Sequence, residues 1–515
     1  MFKFNKRIAL GLLAVMTVVS AVFSPMEQLL VKNAHPTAQV EAAGSNTSAT
    51  IPAKKAPKYL FLFIGDGMAH VQVQAAQVYK GNNKYGEVKP ELINFSKFPV
   101  TGVATTHDST SFAPDSASTA TSLSSGTKTH SGVIGLTTDK KTSVETIAEK
   151  AKQADMKVGI ISSVTLNHAT PAAFWANVES RGQYYDIGLQ MAQTDFDYFA
   201  GGSLGQRTGK EKDKKDLYEI LKESGYKVTE TRADFEEIKA GDKVYAVSER
   251  LQDSGSMPYT IDQVDSDITL ADYVKKGIEV LDNEKGFFMM VESGKIDWAC
   301  HANDAGTVIH EVIGYEEAIA EAIAFYEKHP EDTLILVTGD HETGGLTIGH
   351  ATMGYDTAFD MIEKQKMSYV DFDTKFEEMK KSNPELKLST VLAEIEETFG
   401  LKVKPDVAEG EEIEDPFVLT KYEYEMLKNA FEESMKPEDN RAETQETGLL
   451  YGGYNPISVT LTHILNNKAG IGWTSYAHTG VPVAVYALGA TAENYGGYYD
   501  NTDIFFKMMD SLKLK

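Results

Sequence analysis

Six places along the chain bring together residue types that bind cations or attack electrophiles. Asp66 sits between Gly65 and Gly67, and Asp115 precedes Ser116 at the head of a run of small residues that ends at Gly126. His168 and Thr170 lie within Asn167–Pro171, followed later by Glu292, Asp297 and His301. Asp340 and His341 are adjacent, and His478 lies among turn residues between Tyr476 and Gly480. Carboxylates and imidazoles are the protein ligands of zinc at open catalytic sites, and carboxylates suit magnesium. A serine becomes a nucleophile when a base or a metal removes its proton. A helix from Ala117 to Ser125 would bury little apolar surface of its own. It would leave an N-terminus open to an anion, where free N–H groups and the helix dipole favour negative charge. Taken alone, this stretch reads equally well as a Ser/Thr-rich turn with an N-cap. The acids and histidines elsewhere in the chain favour chemistry.

Those residues need a scaffold that carries them to one place. Tyr59–Ile64 is a continuous apolar run that stops at glycine, the pattern of a strand buried on both faces. Lys157–Ile161, Gly286–Val291 and Thr333–Thr338 repeat it, and each run is followed by potential ligands. Sites in open α/β sheets lie beyond the carboxyl ends of such strands. Helical patterns such as Ser143–Ala154 and Thr307–Lys328 alternate with the strands, which predicts a layered α/β fold. The expected architecture is a three-layer sandwich around a large, mostly parallel central sheet. Residues 186–282, with a glycine turn at Ala200-Gly201-Gly202, stand apart from this pattern, as do residues 351–469. The latter are acidic and mostly helical, and read as an insertion before the last candidate ligand, His478.

With 515 residues, 42% of them hydrophobic, the chain can build a large core. A net charge of -25 argues against nucleic acid as a partner, because little basic surface is available to meet phosphates. It also means that an anionic substrate must be attracted locally, by cations or a placed arginine. The single cysteine, Cys300, forbids an intramolecular disulfide and is expected to be buried and structural. Residues 1–43 read as a signal peptide: Lys3, Lys6 and Arg7 precede an apolar run from Ile8 to Phe23. Val40-Glu41-Ala42 resembles a cleavage site, and the competing reading is an uncleaved N-terminal membrane anchor. Residues 44–58 read as a flexible spacer, and residues 59–515 as the catalytic domain. The expected localisation is secreted, extracellular or in the cell envelope, and periplasmic if the source is Gram-negative.

Taken together, several motifs resemble the bacterial alkaline phosphatase family. They are Gly65-Asp66-Gly67-Met68, Asp115-Ser116-Ala117, His168 to Ala173, Glu179-Ser180-Arg181, Glu292 to His301, Gly339 to Gly345 and Gly472 to Gly480, in the family's order. The resemblance implies a phosphomonoesterase that works through a phosphoserine at Ser116 and depends on two zinc ions and one magnesium. It implies that Asp297, His301 and His478 hold the first zinc, and that Asp340 and His341 hold the second, with Ser116 as its exchangeable ligand. Asp66 would bridge the second zinc and the magnesium, and Thr170 and Glu292 would complete the protein ligands of the magnesium. Arg181 would clamp phosphate oxygens, oriented by Asp115. The implied partners are small phosphate monoesters and inorganic phosphate, with a homodimer left open.

Two departures bear on the third metal. His168 and Trp298 stand where the best-studied enterobacterial branch has an aspartate and a lysine, as in other branches of the family. An imidazole near the third site could favour zinc or change the magnesium's water shell. Trp298 removes a positive charge near the substrate. Two other functions compete with this reading. A phosphodiesterase or sulfatase of the same superfamily is one, although Ser116 lies outside the Cys/Ser-x-Pro-x-Arg pattern of sulfatases. A secreted metal- or phosphate-binding protein with a degenerate site is the other.

Overall fold

The computed structural model describes residues 55–404 and 413–515. The expected signal peptide and most of the spacer lie outside the described residues. The spacer's last residue, Lys58, is already part of the fold: its N–H and that of Tyr59 donate to the Asp332 carbonyl at 2.8 and 2.9 Å.

The apolar runs form a ten-stranded sheet. In chain order the strands are β1 (Tyr59–Gly65), β2 (Val100–Thr105), β3 (Lys157–Ser162), β4 (Tyr198–Gly201) and β5 (Lys227–Thr229). They continue with β6 (Val244–Val247), β7 (Phe287–Ser293), β8 (Thr333–Gly339), β9 (Val483–Gly489) and β10 (Gly497–Asp500). Across the sheet they run β10-β2-β9-β8-β1-β7-β3-β4-β6-β5. Strand β9 is antiparallel to both of its neighbours, and every other pair is parallel.

Both faces of the sheet are covered, which explains why β1, β7 and β8 are buried at every position and mostly apolar. In β1, Leu60, Leu62 and Ile64 enter one core while Tyr59, Phe61 and Phe63 enter the other. Helices Ser116–Ser125, Ile147–Gln153 and Thr502–Leu512 cover the first face, and Leu270–Leu281 and Ala305–Tyr326 cover the second. Each buried Leu, Ile or Phe side chain contributes about 1.5–3 kcal/mol, so the central strands are held far more firmly than the loops that leave them.

Two expectations are revised. Residues 186–282 do not stand apart: β4, β6 and β5 extend the main sheet, and Ala200-Gly201 belongs to a strand rather than a turn. These strands have only three or four residues each, too few to carry a readable period. The helix expected from Ser143 begins at Ile147, because Thr146 caps it and forms a reciprocal box with Glu149. The described part of residues 351–469 is built from helices. It closes its own core, with Phe372, Phe376, Leu427, Phe431, Leu461 and Leu465, onto Ala305 and Ile309.

Candidate active site

The four strands expected to end in ligands lie side by side as β8-β1-β7-β3 at the middle of the sheet. The register pairs Gly65 with both Ser293 and Gly339, so Asp66 and Asp340 leave the sheet at one level, with Glu292, paired with Ile64, two residues below. Two glycines permit the close packing above the strand ends. A Cβ at Gly67, where φ is +71°, would come within 2.8 Å of the Asp297 Cα. One at Gly339 would come within 2.0 Å of the Met68 carbonyl oxygen.

Ser116 is the first residue of a buried helix whose N-cap is Asp115, and its Oγ lies 3.1 Å from His341 Nε2. His341 Nε2 is also 3.3 Å from Asp340 Oδ2 and 3.4 Å from Asp66 Oδ1. The His341 ring stacks on that of His478, with centroids 3.7 Å apart. His478 Nε2 lies 3.1 Å from His301 Nε2 and 3.6 Å from Asp297 Oδ1, and His301 Nε2 is 3.4 Å from the same carboxylate oxygen. Thr170 Oγ1 donates to Asp66 Oδ2 at 3.1 Å, and Ser162 donates to Glu292. Arg181 Nη1 donates to Asp115 Oδ2 at 2.9 Å, while Nη2 lies 3.1 Å from His168 Nε2. Trp298 stands edge-on to His168 at 5.8 Å between centroids. Cys300 is buried, with its sulfur 3.9 Å from the Gln72 amide nitrogen.

The donor set suits cations. Three overlapping groups, Asp297/His341/His478, Asp66/Asp340/His341 and Asp66/His168/Glu292, each hold their ligand atoms within 4.8 Å of one another. Asp66 Oδ1 and Glu292 Oε1 are buried without a hydrogen-bond donor. A buried carboxylate oxygen left unpaired is costly unless a cation meets it. The proton affinities agree. Burial, and then the charge of Asp340, pushes Asp66 well above the usual carboxylate range. Burial also raises Glu292, and burial followed by Asp297 raises Asp340. Burial pushes Asp297 up as well, but the charges of His301, His478 and His341 pull it below its ordinary value. Burial, and then Arg181, lowers His168 to about 3, so its ring is neutral. The mixed Asp/His groups fit zinc, and Asp66 and Glu292 with the Thr170 hydroxyl fit magnesium.

Several neighbours had no place in the motif reading. The Tyr476 and Pro114 carbonyls lie 2.6 Å from Nδ1 of His301 and His478, so that each ring presents Nε2 to the cage. Thr119 Oγ1 donates to Asp340 Oδ2 at 3.0 Å, and Thr343 bridges Asp297 and His341. Thr119 lies one turn beyond Asp115 and Thr343 two residues beyond His341, so spacing alone could have flagged both. A cavity of about 400 Å³ opens over the cage, and Asp253, Tyr369 and Tyr454 help to line it. No local pattern marks these three.

A serine and a guanidinium that share one cavity with a nest of buried carboxylates and imidazoles, at the carboxyl ends of a parallel sheet, suit metal-assisted phosphoryl transfer. Residues 57–514 match the family model described as alkaline phosphatase, and the chain belongs to that family of metal-dependent phosphomonoesterases. It is 29% identical over 467 residues to alkaline phosphatase 4 of Bacillus subtilis (strain 168), covering 88% of this chain and 89% of that protein. Among solved structures it resembles the cold-active alkaline phosphatase of the psychrophile Shewanella sp., with a TM-score of 0.71 and 28% identity over 88% of this chain and 99% of that one. It also resembles a His-to-Glu variant of TAB5 alkaline phosphatase with Mg bound in the M3 site. There the TM-score is 0.61 and the identity 26%, over 90% of this chain and 100% of that one.

Proposed function

We propose that the chain is a secreted phosphomonoesterase of broad specificity that passes the phosphoryl group first to Ser116 and then to water. The observation that carries this reading is the position of Ser116 Oγ, 3.1 Å from His341 Nε2 at the N-terminus of a buried helix. Asp297, His301 and His478 would hold one zinc, and Asp340 and His341, with Ser116, a second. Asp66, Thr170 and Glu292 would hold a magnesium, with Asp66 shared. When bound, these ions supply Lewis-acid charge for the oxygens entering and leaving phosphorus.

The chain's own groups do the rest. Ser116 Oγ loses its proton to solvent and attacks phosphorus as the ester P–O bond breaks, and the alcohol departs with the bonding pair and takes a proton from solvent. Arg181 offers two parallel N–H donors to two phosphoryl oxygens, a geometry that lysine cannot copy. Asp115 keeps that fork aimed. Burial pushes Asp115 up, but Arg181 and the N–H groups of Gly132 and Ser118 outweigh it, so the carboxylate stays charged. Water then attacks the phosphoserine, the Oγ–P bond breaks, and inorganic phosphate leaves. The leader expected over residues 1–43 supports export.

Incubating zinc- and magnesium-loaded protein with a monoester, quenching in acid and mapping peptides by mass spectrometry tests the covalent step. Phosphate on the Ser116 peptide, absent from Ser116→Ala, is the expected result. Undiminished turnover by Ser116→Ala would sink the reading.

A further inference from the structure

The cavity over Ser116 is larger than a phosphate group requires. At about 400 Å³ it lies in the range of pockets that take small organic ligands. Its lining divides into two kinds of surface. Ser116, Arg181 and the cage residues make one, polar and suited to the phosphoryl group. Trp298, Tyr369 and Tyr454 make the other, and it is aromatic.

The aromatic part is built to hold its shape. Tyr369 and Tyr454 meet edge-on at 5.6 Å between centroids. The Tyr369 N–H donates to the buried Asp304 at 3.0 Å, and its hydroxyl lies 3.3 Å from that of Tyr259. Trp298 and Tyr454 are half-buried, so ring surface faces the cavity. Asp253, also in the lining, is paired with Lys295, whose side chain is fully buried and sits 3.5 Å over the Tyr259 ring. The acid is therefore neutralised, and this wall carries no net charge that would select a cationic alcohol. Two of the three rings, Tyr369 and Tyr454, come from residues 351–469, so the insertion supplies part of the substrate cavity.

We infer that Trp298, Tyr369 and Tyr454 form a leaving-group subsite that, within a broad specificity, favours phosphate monoesters whose alcohol carries a planar apolar ring. The inference rests on the phosphomonoesterase reading above. Offset or edge-on ring contacts add to what area burial alone provides. Their effect falls on kcat/KM, because the alcohol is gone once the phosphoserine has formed.

The test compares 2-phenylethyl phosphate with n-propyl phosphate, two primary alkyl esters of similar leaving-group chemistry, on the metal-loaded enzyme. A kcat/KM ratio of about tenfold in favour of the phenyl ester is expected. Tyr454→Ala should bring the ratio close to one, and Tyr454→Phe should retain it. Calorimetric binding of the matching phosphonates should reproduce the ratio in Kd without turnover. Equal kcat/KM for the two esters in the wild type would overturn the subsite alone, as would a ratio unmoved by Tyr454→Ala. A preference for phosphoethanolamine over both esters would overturn it in favour of a cation-binding wall. Failure to hydrolyse any ester would overturn the phosphatase reading, and the subsite with it.

Discussion

Asp115 grips Arg181 with one carboxylate oxygen, Oδ2, at 2.9 Å, while the other, Oδ1, caps the helix that begins at Ser116 by accepting from Ser118 N at 3.1 Å. One side chain thus sets the spacing between the proposed nucleophile and the proposed phosphate clamp. Asp115→Asn keeps a good N-cap but loses the ion pair, whereas Asp115→Ala loses both. Hydrogen bonds to charged groups contribute about 1.5–3 kcal/mol. Both variants should therefore bind inorganic phosphate about tenfold more weakly, read as its inhibition constant. Only Asp115→Ala should also lose about 1 kcal/mol of folding stability. An unchanged phosphate inhibition constant in both variants would show that Arg181 needs no partner.

Removing cations should destabilise the fold as well as silence it. The cage buries Asp66, Asp297, Asp340 and Glu292 together, with Asp66 Oδ1 and Glu292 Oε1 lacking donors. Ligands that bind only the folded state stabilise it by mass action, about 4 kcal/mol at a thousandfold excess over Kd. Chelator-stripped protein should melt at a lower temperature in scanning calorimetry and recover when zinc and magnesium are restored. Asp340→Asn should blunt that recovery. Identical melting curves with and without chelator would count against the cage as a cation site.

How far the sequence foretold this arrangement differs by element. The strand ends were legible, because Tyr59–Ile64, Gly286–Val291 and Thr333–Thr338 are largely apolar and stop at a glycine or an acid, while Lys157–Ile161 is a similar run that stops at Ser162. Their adjacency in the sheet, and the register that puts Asp66 level with Asp340, were not, because pairing depends on the whole sheet. His478 could be singled out only as a histidine in a turn. What aims it is the Pro114 carbonyl, 364 residues away in the chain. Asp253, Tyr369 and Tyr454 left no trace at all. Each belongs to a different local segment, and only tertiary packing gives them a common cavity. The roles carried by family resemblance belong to residues that the structure brings together.

His168 should decide which ion the third site prefers. Its ring is neutral, lies against Arg181 and leaves Nδ1 buried without a partner. Asp66, Glu292 and the Thr170 hydroxyl offer the hard oxygen donors that magnesium favours, and an imidazole shifts such a set toward zinc. His168→Asp should bind magnesium about tenfold more tightly by calorimetry, because an added charged oxygen ligand suits that ion. It should also retain more magnesium through gel filtration, read by elemental analysis. Unaltered magnesium affinity would place His168 outside the metal's reach.

Away from the cage, Glu311 should give the folded protein a pH dependence of its own. It lies on the Ala305–Tyr326 helix, buried, and accepts from Thr260 N at 2.5 Å. Burial raises its pKa from an ordinary 4.5 to about 7, against the pull of the Thr260 N–H and Lys295 and with a small push from Asp262. A carboxyl whose folded pKa lies above its unfolded one stabilises the fold fully below the unfolded value. That contribution is lost as pH rises through the folded value. The loss should therefore run between pH 4.5 and about 7 and amount to at most about 3 kcal/mol. Glu311→Gln cannot ionise and keeps an acceptor for Thr260 N–H. Urea unfolding of the metal-loaded protein at mildly acidic and mildly alkaline pH should show the wild type losing more stability than the variant on going alkaline. Parallel pH profiles for the two proteins would mean that Glu311 is already ionised and satisfied in the fold.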